Sequence, residues 1–95
     1  GYMEIVKLML DKGAAPNDGL NGAASGGHMD IVKLMLDKGA DDFNYGLRVA
    51  ARGGHMEIVK LLLDKGATNL DSALELAERN GHTECAELIR AAMMK

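Results

Sequence analysis

Tryptophan is absent from this sequence, and cysteine and proline occur once each. The lone thiol, Cys85, excludes an internal disulfide and suits a reducing compartment, so an intracellular, cytoplasmic protein is expected. Aromatic side chains make up only 3% of the chain, as Tyr2, Phe43 and Tyr45. The apolar fraction of 47% therefore rests on Ala, Leu, Met, Ile and Val. Ala and Leu favour helix, and small side chains let helices approach closely, so the expected fold is all-α. No stretch nears the roughly 20 consecutive apolar residues of a membrane span, and no signal-peptide order opens the chain. A basic stripe is missing too. At a net charge of −3, acidic and basic residues interleave rather than cluster. That pattern argues against nucleic acid as a partner, because a phosphate backbone needs a run of cations to follow.

What the sequence has in abundance is repetition. Residues 2–14 read YMEIVKLMLDKGA, residues 28–40 read HMDIVKLMLDKGA, and residues 55–67 read HMEIVKLLLDKGA. A looser copy, HTECAELIRAAMMK, starts at His82. Gly13 and Gly39 lie 26 residues apart, Gly39 and Gly66 lie 27 apart, and His28, His55 and His82 recur every 27. A fixed period of this size marks a solenoid, in which each small unit buries its apolar face against its neighbours. One domain is expected over 1–95, made of a partial unit 1–14, units 15–40 and 41–67, and a C-terminal cap 68–95.

Each unit predicts two helices. In the third, His55 to Gly66 carries Ile58, Val59, Leu61, Leu62 and Leu63 at helical spacing, a face broad enough to be covered on more than one side. Gly54 precedes this helix and Gly66 follows its last turn, where a left-handed residue is wanted. Glu57, Lys60 and Asp64 sit three and four apart and form a solvated, weakly paired face. In the first half of the unit, Leu47, Ala50 and Ala51 mark a shorter helix. Asn44 is placed to cap it, and Asn17 and Asp71 hold the same position in the neighbouring units. Phe43, Leu70 and Pro16 precede those caps as staples, and Ser72 with Glu75 fits a capping box. Gly53 and Gly54 then turn the chain into the second helix. Linkers of about five or six residues join the hairpins.

The run Leu47 to His55, LRVAARGGH, continued to Ala67, resembles an ankyrin repeat. So do Leu20 to Ala40, LNGAASGGHMDIVKLMLDKGA, and Leu74 to His82, LELAERNGH. The resemblance covers essentially the whole chain. It implies a solenoid of about three and a half helix-turn-helix units that binds proteins through its first helices and linkers. Two departures stand out. Ankyrin units run about 33 residues, so these are about six short. The missing stretch falls where the family carries a β-hairpin finger, which is expected to be reduced or absent. The usual Thr-Pro-Leu-His start is replaced by Tyr45-Gly46-Leu47-Arg48. Short, nearly identical units are similar to the expanded ankyrin arrays of large DNA viruses that infect amoebae, which would place the protein in a host cytoplasm. A consensus-built or engineered array would explain the same identity.

No constellation for chemistry recurs. Equivalent histidines in a stack lie roughly 10 Å apart, too far to share a zinc ion, so His28, His55 and His82 are expected to brace turns. Cys85 aligns with Ile5, Ile31 and Ile58 and is expected in the core, without a histidine to activate it. Met3, Met9, Met29, Met35 and Met56 fall at repeated packing positions. No Gly-Lys-Ser/Thr follows the glycine pairs, which join helix to helix. No enzyme activity, cofactor or metal is expected.

The remaining expectation is recognition of a protein partner. The positions that vary between units are Gly22 and Ser25, Val49 and Arg52, and Leu76 and Arg79 on the first helices. In the linkers Asp18, Tyr45 and Ser72 are equivalent, and one turn later so are Asn21, Arg48 and Glu75. Tyr45, Arg48, Val49, Arg52, Leu76 and Arg79 are the candidate contact residues, with Tyr and Arg foremost because they dominate interface hot spots. A second expectation comes from the ends. Arg90, Glu87 and Cys85 give the last helix a more polar face, as a cap needs. The first copy lacks its own first helix, leaving Ile5, Leu8 and Met9 with an uncovered side. The chain then reads as the end of a longer array, or as a structural segment that self-associates through that face.

Overall fold

The computed structural model describes residues 15–94 together with Glu4, Leu8 and Gly13. Ile5 and Met9, part of the expected uncovered face, lie outside the described residues. Leu8 is helical and 56% exposed.

Six helices follow in order: α1 (Pro16–Gly26), α2 (Met29–Asp37), α3 (Phe43–Gly53), α4 (Met56–Asp64), α5 (Leu70–Arg79) and α6 (Thr83–Met93). No strand occurs among the described residues. The expected fingerless, all-α solenoid is what the chain forms. Consecutive helices pair as hairpins α1–α2, α3–α4 and α5–α6, and the molecule extends 40 × 22 × 16 Å.

Each hairpin turn is closed by the backbone. His55 N–H donates to Ala50 O at 2.9 Å, and His28 and His82 repeat the bond to Ala23 and Ala77 at 2.9 and 2.8 Å. The chain between must pass through a left-handed residue, and Gly54 supplies it at φ 74°. The second helices end in the same way. Ala40 N–H bonds Met35 O at 2.9 Å, and Ala67 N–H bonds Leu62 O at 3.2 Å.

The two helical layers bury different side chains. The first helices bury Ala23, Ala24, Ala50, Ala51, Ala73 and Ala77, with Leu20 and Leu47 beneath. Their small side chains allow α1, α3 and α5 to lie side by side along the stack. The second helices bury Ile31, Val32, Met35, Ile58, Val59 and Leu62. These bulkier side chains hold α2 and α4 apart, so the second layer fans open. The last pair is closer: Cys85 and Ala86 stand where α4 has Ile58 and Val59, and α6 approaches α4 more nearly than α4 approaches α2.

The expected caps are a correction. Asn17, Asn44 and Asp71 are each the second residue of their helix, not the residue before it. None of the first helices has a side-chain cap, and Pro16, Phe43 and Leu70 open the helices rather than preceding a cap. The asparagines reach across the repeat seam. Asn17 Oδ1 accepts from the N–H groups of Asp41 and Asp42 at 2.9 and 3.0 Å, and its Nδ2 donates to Asp41 Oδ1 at 3.1 Å. Asn44 repeats this one unit later: its Oδ1 accepts from Thr68 and Asn69 N–H at 2.7 and 2.9 Å. α1 and α3 thus each clamp the linker of the next unit. The Ser72–Glu75 capping box is also replaced, because Glu75 accepts a hydrogen bond from Arg79.

Candidate functional site

The histidines brace turns, and they also reach between units. His55 Nε2 lies 3.0 Å from the carbonyl oxygen of Ser25 in the preceding hairpin. A carbonyl only accepts, so Nε2 is the donor. The ring stands against Gly27, where an added Cβ would come within 2.8 Å of it. His82 takes the same place over Gly54, at 2.5 Å from a Cβ there. Among the described residues, no group of three or more His, Cys, Asp or Glu is placed to hold a metal. Cys85 is buried, and burial, with the neighbouring charge of Glu84, pushes its thiol above the usual range. It is therefore protonated at neutral pH, which makes it a core side chain and a poor nucleophile.

The variable positions of the first helices do not all become free surface. On α1, the equivalent of Arg48 is Asn21, and its Nδ2 donates to Asp42 Oδ2 at 3.4 Å. The first unit thus spends Asn17 and Asn21 on the linker to the second. The larger exposed side chains of the first helices, Tyr45, Arg48, Arg52 and Arg79, lie on α3 and α5.

Between those two helices runs a shallow groove of about 260 Å³ lined by Arg48, Arg52, Ser72, Glu75 and Leu76. It brings together three of the six candidate residues. Tyr45 joins them through Arg48, whose guanidinium lies 5.0 Å from the centroid of the Tyr45 ring. Such stacking fixes the plane of the cation while leaving its edge donors available. Tyr45 itself is 44% exposed. Arg79 is exposed and forms an ion pair with Glu75 on the same helix.

Val49 is a correction. It was expected to point outward, but it is only 7% exposed and belongs to the core. The reason is that α3 has a first helix on either side of it, so its buried arc is wider than a single apolar stripe. Ser72 and Glu75, which the sequence offers both as a capping box and as varying positions but not among the six candidate contact residues, also line the groove. Their alignment with Tyr45 and Arg48, one turn apart, was the available signal.

No helix among the described residues is long and apolar enough to cross a membrane. No curated protein matches the chain. The family model described as ankyrin repeats (3 copies) matches residues 1–69 and residues 20–93. Hairpins of this length, closed by glycine turns and stacked through alanine-lined first helices, agree with that match, and the chain belongs to the ankyrin-repeat family.

Proposed function

We propose that the protein is a non-enzymatic interaction scaffold that holds a protein partner on its first-helix and linker face, through Tyr45, Arg48, Arg52, Leu76 and Arg79. Ankyrin repeats generally mediate protein–protein interaction, and the family is typically non-enzymatic. The observation that carries the reading is the α3–α5 groove, where Arg48, Arg52 and Leu76 meet beside an exposed, stacked Tyr45. Buried around such side chains, a partner would find the Tyr and Arg anchors that dominate interface energies. The short-unit resemblance to arrays of amoeba-infecting viruses adds a finer proposal, that the partner is a host cytoplasmic protein.

Replacing Arg52 with Glu is the test. Circular dichroism and melting should stay almost unchanged, because Arg52 is exposed. Capture of the protein partner should weaken; unaltered capture would count against the face. The second reading, self-assembly, draws on the exposed apolar side chain of Leu8. Light scattering over a dilution series separates the two, since only self-assembly predicts a mass that rises with concentration.

A further inference from the structure

The arginines of this chain divide into two pairs by what they meet. Arg79 pairs with Glu75 and Arg90 with Glu78. Arg48 and Arg52 form no ion pair with a carboxylate among the described residues, and Arg48 stacks on the Tyr45 ring. The uncompensated pair sits on a single helix, four residues apart, and both line the α3–α5 groove. The one carboxylate lining that groove, Glu75, is already engaged by Arg79. The groove therefore offers two guanidiniums with unused donors, opposite the Ser72 side chain and the apolar wall of Leu76.

We propose that this groove takes an extended acidic segment of a protein partner, seating two carboxylates from alternate positions on Arg48 and Arg52. The inference rests on the first-helix face being the partner-binding surface. Charge complementarity supports it: a guanidinium presents five N–H donors and no acceptor, so its strong ligands are anions. Spacing supports it as well. Residues four apart on a helix have Cβ atoms about 5–6 Å apart. Alternate side chains of an extended segment point the same way and are spaced by about 6.6 Å. A Glu-x-Glu run can then place one carboxylate on each arginine without bending. Stacking on Tyr45 holds the Arg48 plane in place before the partner arrives, which lowers the ordering cost of binding.

The test is a nuclear magnetic resonance titration of the isotopically labelled full chain at low salt, where surface charges are least screened. The probes are a short Gly/Ser peptide carrying Glu-x-Glu and its Gln-x-Gln counterpart. The acidic peptide should move the Arg48 and Arg52 side-chain signals and the Ser72 amide. The neutral peptide should bind about tenfold more weakly or worse, as expected when hot-spot charge pairs are lost. An Arg48→Gln/Arg52→Gln double variant, with its remaining spectrum unchanged, should lose the response. Equal binding of both peptides in the groove would overturn the acidic assignment while leaving the face as a partner site. Response to the acidic peptide only outside the groove, or none at saturating peptide, would overturn it too. The broader reading fails separately, by unaltered partner capture in Arg52→Glu.

Discussion

Along the stack, the first helices lie side by side while α2 and α4 scarcely touch. The difference comes from side-chain volume. Where the first layer buries alanine, the second buries leucine, isoleucine, valine and methionine. The groove lined by Arg48 and Arg52 lies between two members of that close layer. The two layers should therefore fail in opposite ways: the second when volume is removed, the first when it is added.

The largest effect is expected from the second layer. Leu62 is fully buried, and Leu62→Ala should cost about 2–5 kcal/mol in urea denaturation. In the first layer Ala50→Leu should cost about 1–3 kcal/mol, through overpacking against a neighbouring helix. If Ala50→Leu were neutral, the close layer would have slack and the comparison would break.

The hairpin turns give a sharper contrast of about the same size. Gly54 and Gly81 have φ of 74° and 77°, but a Cβ on Gly54 would strike the His82 ring while one on Gly81 meets open space. Gly81→Ala isolates the cost of the left-handed backbone, about 1 kcal/mol, and Gly54→Ala should exceed it, reaching about 2 kcal/mol or more. Equal melting shifts would show that the histidine ring moves aside freely.

Across the seam, Asn44→Ala removes the acceptor for two N–H groups and should cost about 1 kcal/mol, with less for Asn44→Asp, which keeps an acceptor. The smallest change belongs to the binding face. Arg48→Gln with Arg52→Gln should leave stability within about 0.5 kcal/mol, since neither guanidinium holds the fold. A larger loss would mean that the groove is part of the scaffold rather than a surface carried on it.

Much of this was legible in the sequence because it is local or periodic. The repeat of His-Met-(Asp/Glu)-Ile-Val fixes the unit. Gly54 and Gly66 sit where a helix must end in the left-handed region. Glu57 and Lys60, three apart, do meet, at 3.8 Å. The asparagines were misread because capping preference describes one helix at a time. Their true partners lie 24 and 25 residues further on, across a seam whose geometry no single unit encodes. The burial of Val49 was hidden for a similar reason, since it depends on a helix having neighbours on two sides. The groove was half legible: the arginines stood out as variable positions, but which of them are already paired needed coordinates.

The asparagine clamp has a direction. The side chain always belongs to the earlier unit and the backbone it holds to the later one. On a ribosome the earlier unit is made first, and domains generally begin folding from that end. Asn17 would then be in place on a finished helix when Asp41 and Asp42 emerge, and Asn44 when Thr68 and Asn69 follow. At both seams the linker is thus held from the unit that precedes it, so the two clamps give the stack a polarity from its first unit toward its last.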